Sequence, residues 1–136
     1  KDRMNILVDS SYLTSLFWPQ DNNFSKATQL AASLADKHSW YISQDILKET
    51  LTVLSQRIGK EKMRTASDQI IREMHLLSIS EDVFNQALTL FLTPNYPKDI
   101  SVIDCTSVVL LKKHNLDAIL TFDRHFRSLG LTTVPR

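Results

Sequence analysis

A chain of 136 residues fits one domain and is long enough to bury a core of its own. Two glycines and four prolines exclude a low-complexity or collagen-like chain, and 43% hydrophobic with 23% charged residues is an ordinary globular composition. The formal charge of +1 supplies no overall attraction for nucleic acid or acidic membranes, so an anionic partner must be held by local basic residues or by bound cations.

Cys105 is the single cysteine, which excludes a disulfide framework and a cysteine metal motif; an intracellular, cytoplasmic setting is expected. The apolar runs are too short to span a membrane, and the opening residues do not read as a signal peptide. Lys1 to Arg3 precede Met4 and are open to being a cloning remnant, so one domain is expected over residues 4–136.

In chain order, Ile6-Leu7-Val8 is a short β-branched run that predicts a buried strand ending at Asp9. A helical turn is expected from Ser11 to Phe17, a breaker-rich loop over 18–23, and an alanine-rich amphipathic helix from Phe24 to His38. Trp40-Tyr41-Ile42 reads as a second strand, after which Ser43 can cap a helix running to about Arg57, before Gly59. Leu47, Leu51, Leu54 and Ile58 give that helix its apolar face. A further helix is expected over 60–75, a strand over 76–79, and a helix capped by Ser80 through Leu92. Leu88, Phe91 and Leu92, with Ile70 and Ile71, read as core. Ser101 opens a helix to about His114, Ala118-Ile119-Leu120 is the next strand, a turn spans 124–129 before Gly130, and residues 131–134 make a last strand. Strands separated by helices predict an α/β sandwich around a mostly parallel sheet.

Four acids stand out on this framework. Asp9 and Asp123 each follow an apolar strand run beside hydroxyl residues, Ser10 and Ser11 in one case and Thr121 in the other. In parallel α/β sheets ligands bind outside the carboxyl ends of strands, although either aspartate is equally an ordinary helix cap. Asp104 falls between Val108 and Leu111 on a helix apolar on nearly all sides, where an uncompensated carboxylate is costly. The competing assignment is a capping box, since Ser101-x-x-Asp104 has that spacing. Glu49 lies at the margin of its helix's apolar arc and, alone, reads as a solvated boundary residue. If the four acids meet, their repulsion requires protons or cations. Hard oxygen ligands suit Mg²⁺ or Mn²⁺, which lower the pKa of water and offset charge on a phosphodiester under attack.

The chain resembles the PIN-domain family, in particular its VapC-like toxin ribonucleases. The likeness runs from Ile6 to about Val134 and rests on Ile6-Leu7-Val8-Asp9-Ser10-Ser11, on Ser43 with Glu49-Thr50-Leu51, and on Ile103-Asp104 followed by Asn115-Leu116-Asp117-Ala118-Ile119-Leu120-Thr121-Phe122-Asp123-Arg124-His125-Phe126. The resemblance implies a three-layer α/β sandwich and a Mg²⁺- or Mn²⁺-dependent endoribonuclease working by metal-activated water. It implies Asp9, Glu49, Asp104 and Asp123 as metal ligands and catalytic residues, with Thr121, Ser10 and Ser11 in support. RNA as substrate, homodimerisation and an antitoxin partner are also implied. Two positions depart from the pattern: Ser11 stands where many relatives carry Asn, and Val108 and Val109 where they often carry alanine or glycine.

Arg124, beside Asp123, is the preferred substrate contact, though a carboxylate pair would explain it equally. Lys112 and Lys113 read as a solvated face, and the four histidines lack metal-ligand spacing. Phe17, Trp18 and Phe24 are assigned to core or dimer packing rather than base stacking. Two rival functions remain: a non-catalytic PIN-like interaction scaffold, and a receiver-like phospho-acceptor domain. The second needs adjacent acids after the first strand, where Ser10 follows Asp9.

Overall fold

The apolar run Asn5–Val8 forms the first strand (β1), with Ile6, Leu7 and Val8 fully buried, as a strand covered on both faces must be. The computed structural model describes residues 3–136, so the expectation for Lys1 and Asp2 lies outside the described residues. Helices α1 (Ser10–Phe17) and α2 (Phe24–Leu34) lead to β2 (Ser39–Ser43); α3 (Gln44–Ile58) and α4 (Lys60–Glu73) lead to β3 (His75–Leu77). Next come α5 (Glu81–Phe91), α6 (Val102–Lys113), β4 (Ala118–Leu120), α7 (His125–Ser128) and β5 (Thr133–Val134).

The five strands lie in the order β3-β2-β1-β4-β5, and every pairing is parallel. From β1 the chain steps outward to β2 and β3, then crosses back to β4 and β5 on the other side. Parallel crossovers are right-handed, so reversing direction puts the later helices on the opposite face. The packing agrees: α1 touches α2 and α3, and α3 touches α4, whereas α5 packs on α6. The result is the expected three-layer sandwich, with a sheet wholly rather than mostly parallel. The reversal lies between β1 and β4, paired Ile6 to Ala118 and Val8 to Leu120. Beyond their carboxyl ends opens the crevice in which such folds bind ligands.

Several boundaries differ from expectation. Helix α2 stops at Leu34 rather than His38, because Asp36 turns left-handed (φ 59°) and the chain must return to the sheet. There His38 Nδ1 accepts the Met4 N–H at 3.0 Å, and Ser39 N–H donates to Met4 O at 2.9 Å. Strand β3 begins at His75, earlier than expected, since His75 pairs with Tyr41 and their rings lie 4.9 Å apart. Ile79 leaves the sheet and donates its N–H to Gln44 Oε1. Leu131 and Thr132 lie outside the last strand.

Of the five residues read as core, only Ile70 is buried; Ile71, Leu88, Phe91 and Leu92 are exposed. Amphipathic spacing identifies an apolar face without telling which neighbour covers it, and α5 turns Val83 and Ala87 inward instead. Phe17 and Trp18 pack against Leu54, Met63 and Ala66, with the Arg57 guanidinium 4.9 Å over the Trp18 ring.

Phe126 is fully buried and anchors the one-turn helix α7 to the main core. Phe126→Ala is expected to cost about 3–5 kcal/mol, the usual range for emptying a buried aromatic position. Exposed Arg127→Ala serves as the control and should stay within about 0.5 kcal/mol. Urea unfolding of both variants measures the difference.

Candidate active site

Asp9 leaves β1 in extended conformation (φ −92°, ψ 155°), caps α1 and is only 6% exposed. A carboxylate so buried needs donors, and two hydroxyls supply them: Ser11 Oγ and Thr121 Oγ1 each donate to Asp9 Oδ2 at 2.8 Å. The capping N–H of Ser11 is longer, at 3.4 Å. Each hydroxyl has one proton, so the 3.0 Å approach between Ser11 Oγ and Thr121 Oγ1 is held by their shared acceptor. Both hydroxyls in turn accept backbone N–H groups, Ser11 from Phe122 at 3.0 Å and Thr121 from Asp123 at 2.9 Å. Backbone of the β4 exit thus polarises two hydroxyls toward one carboxylate. Asp9 N–H also donates to Leu120 O at 2.9 Å, which stitches the two strand ends together.

Glu49, in the second turn of α3, joins through Ser10, whose hydroxyl donates to Glu49 Oε1 at 2.8 Å. Asp123 Oδ1 accepts the His125 N–H at 2.9 Å, which fixes the turn into α7.

Asp104 corrects part of the sequence expectation. It is half-buried, on a first turn where Val102 is exposed, and the capping box does form. Ser101 Oγ accepts the Asp104 N–H, and Asp104 Oδ2 accepts the Ser101 N–H, both at 3.0 Å. The helix is less enclosed than its composition indicated. Asp104 Oδ1 nevertheless receives no hydrogen bond from the described residues.

The acids sense one another. Burial pushes the Asp9 carboxyl above the ordinary aspartate range, the hydroxyls of Ser11 and Thr121 oppose this, and the charge of Asp104 adds to it. Burial likewise raises Asp104, against the hydrogen bonds of Ser101; the charge of Asp123 raises it further and His125 relieves it. The charge of Asp104 thus reaches Asp9 and that of Asp123 reaches Asp104, while Glu49 is hydrogen-bonded to Ser10, the neighbour of Asp9 in sequence.

Among the described residues, no three His, Cys, Asp or Glu side chains converge into a ready metal cage. The chemistry of the donor set still fits a hard cation. Asp9 Oδ1, Asp104 Oδ1, Asp123 Oδ2 and Glu49 Oε2 receive no hydrogen bond from the described residues. Mg²⁺ and Mn²⁺ accept oxygen ligands, and Mg²⁺ commonly keeps several waters with one or two carboxylates.

A cavity of about 550 Å³ is lined by Ser10, Ser11, Asp21, Glu49, Phe122 and Asp123 among others; of the four acids it takes in Glu49 and Asp123, while Asp9 and Asp104 are not part of its lining. Asp21 was not foreseen: it accepts from Ser15 Oγ at 2.7 Å and Asn23 N–H at 2.9 Å, its loop position giving only a turn signal. Asp99 was also missed, and lies 2.8 Å from His125 Nε2. Arg124 is exposed and pairs with no acid among the described residues. A cavity of about 530 Å³ elsewhere, lined by Tyr12, Trp40 and Met74 among others, includes none of the four acids.

A doubly wound parallel sheet with an aspartate after each of the two strands at its switch point frames the comparison. The chain belongs to the PIN-domain family, whose pattern matches residues 6–131. Its fold is similar to that of VapC20 from Mycobacterium tuberculosis, a toxin cleaving the sarcin–ricin loop (TM-score 0.83, 23% identity, covering 93% of this chain and 96% of that one). It is also similar to VapBC2 from Rickettsia felis, solved bound to a promoter DNA fragment (0.68, 13%, 96% and 97%). FitAcB from Neisseria gonorrhoeae is a third (0.67, 19%, 94% and 95%). No curated protein sequence matches the chain.

Because the folded state raises the Asp9 pKa, it holds that proton more tightly than the unfolded chain does. The penalty is absent below the ordinary aspartate range and complete above the raised value, so stability falls as pH rises through that window. With a chelator present, Asp9→Asn is expected to resist urea better than the native protein at neutral pH. The margin should shrink as pH falls toward the ordinary aspartate value. Urea midpoints across pH measure this, and a pH-independent margin would contradict it.

Proposed function

We propose that this protein is a Mg²⁺- or Mn²⁺-dependent endoribonuclease, with Asp9, Glu49, Asp104 and Asp123 as its metal-binding and catalytic residues. The observation that carries the reading is the placement of Asp9 and Asp123 after the adjacent strands β1 and β4 at the switch point, with the charge of Asp104 felt at Asp9 and that of Asp123 felt at Asp104. Buried or half-buried like charges persist there only with compensation, and each of these acids keeps an oxygen without a hydrogen bond from the described residues. Membership of the PIN-domain family supports a nuclease, and the likeness to toxin structures supports RNA as substrate.

When bound, a divalent cation supplies Lewis acidity, which lowers the pKa of water and offsets charge on the phosphodiester. The chain's own residues do the rest. Thr121 and Ser11 orient Asp9 by donating to one of its oxygens, which leaves the other to face the cation. Ser10 orients Glu49 in the same way. The capping box holds one Asp104 oxygen and leaves the second available. Arg124, exposed beside Asp123, is assigned to the RNA phosphate, where a guanidinium can bind two oxygens at once.

A homodimer is part of the reading, supported by Phe84, Leu88 and Phe91, which recur at helical spacing on α5 and stay exposed. An antitoxin partner is proposed from the toxin–antitoxin complex among the similar structures, and a cytoplasmic setting from the lone Cys105. No helix among the described residues is long and apolar enough to cross a membrane.

The non-catalytic scaffold is favoured by one observation, the lack of three converging ligands among the described residues. The two readings part on substitution. Asp104→Asn is expected to lower Mn²⁺-supported RNA cleavage at least about a hundredfold while circular dichroism stays native-like. Cleavage by that variant at the native rate would sink the nuclease assignment, and absence of Mn²⁺ binding by the native protein would favour the scaffold.

A further inference from the structure

His125 stands between two carboxylates that the chain brings from different elements. Its Nε2 lies 2.8 Å from Asp99 Oδ2, and its Nδ1 lies 2.7 Å from Asp123 Oδ1. Asp99 belongs to the loop before α6; His125 opens α7, whose Phe126 is locked in the core. Immediately after Asp99, Ile100 is 2% exposed and packed in the α5–α6 cluster. Both ends of the bridge are therefore fixed to rigid elements within one residue.

The bridge does not read as a stability device. The Asp99 side chain is 63% exposed, and ion pairs so exposed contribute little to folding. Its geometry is directed at the site instead. Asp123 Oδ1 already accepts the His125 backbone N–H at 2.9 Å, and the ring closes on the same oxygen. His125 Nδ1 is buried and, despite its 2.7 Å approach, lacks the alignment of a hydrogen bond. On the opposite side of the ring Asp99 is the acidic partner, 2.8 Å from Nε2. With Oδ1 committed in this way, Oδ2 is the Asp123 oxygen left for a ligand.

We propose that Asp99 is a positioning residue of the candidate site: acting through His125, it fixes which oxygen of Asp123 is presented to the cation. The proposal rests on the nuclease reading above. Residues that orient metal ligands from behind commonly change affinity tenfold to a hundredfold when removed, by holding the ligand in its bound geometry. The same loop leads into Ser101 and Asp104, so the bridge also ties the segment bearing Asp104 to the one bearing Asp123.

The test is calorimetric titration of the full chain with Mn²⁺ alone, alongside RNA cleavage kinetics. Asp99→Ala and His125→Ala should each weaken Mn²⁺ binding about tenfold, and the double variant no more than His125→Ala alone. Asp99→Asn, which keeps an oxygen able to face Nε2, should restore most of the affinity. Cleavage by Asp99→Ala should lose kcat with KM for RNA unchanged, a split that a merely structural role would not produce. Native Mn²⁺ affinity in Asp99→Ala, or losses that add in the double variant, would overturn this proposal alone. A native protein that neither binds Mn²⁺ nor cleaves RNA would remove the nuclease reading and this inference with it.

Discussion

The structure turns on the cost of burying carboxylates at one end of a parallel strand pair. Strands β1 and β4 are neighbours because the chain reverses its winding between them, and an aspartate follows each strand at that reversal. Burial is the main penalty on the Asp9 carboxylate, and the charge of Asp104 adds to it. The fold answers with hydroxyls. Ser11 and Thr121 carry hydrogen bonds from the backbone of the β4 exit to Asp9, so part of the compensation is covalently built into the strand ends. A compensation made of neutral hydroxyls offsets the burial penalty without cancelling charge, which is where the cation of the proposed reading would act.

What the sequence discloses follows the range of the interaction concerned. Strands β1 and β4 are legible because an apolar β-branched run has few other uses, and Ser43, Ser80 and Ser101 are legible as caps because the signal is local. The order of the acids along the chain is legible for the same reason. The start of β3 is not: His75 is polar, exposed and preceded by a helical pattern, and only its pairing with Tyr41 makes it a strand residue. The far end of α2 is hidden likewise, since the alanine-rich pattern says nothing of the chain's return to Met4. Asp99 and His125 lie far apart in sequence and share no motif, so their contact belongs to the tertiary structure alone.

Net charge gives a second constraint. At +1 overall, the protein does not attract a polyanion from a distance, and the candidate site is locally acidic. An RNA phosphate would approach such a cleft only after a cation had reversed its local sign. Exposed Arg124, with no acid to pair with among the described residues, is then the nearest basic group in sequence to Asp123. On the nuclease reading proposed above, cation and substrate would bind in that order, and the acidity that looks hostile to RNA would make its binding conditional on the metal.

At Asp104 the structural role of the cap and the chemical role proposed above need not compete for one side chain. As the N3 member of a capping box it ties down the first turn of α6 with one oxygen, which also satisfies a backbone donor at the helix start. The helix N-terminus in turn favours negative charge at this position, and so lowers the cost of keeping the carboxylate ionised near Asp123. A residue that served only the cap would gain nothing from standing near another acid, because the charge of Asp123 raises its pKa. A ligand without a cap would lose the rigidity that fixes its second oxygen. On the proposed reading, the two assignments that sequence spacing set against each other are two ends of one carboxylate.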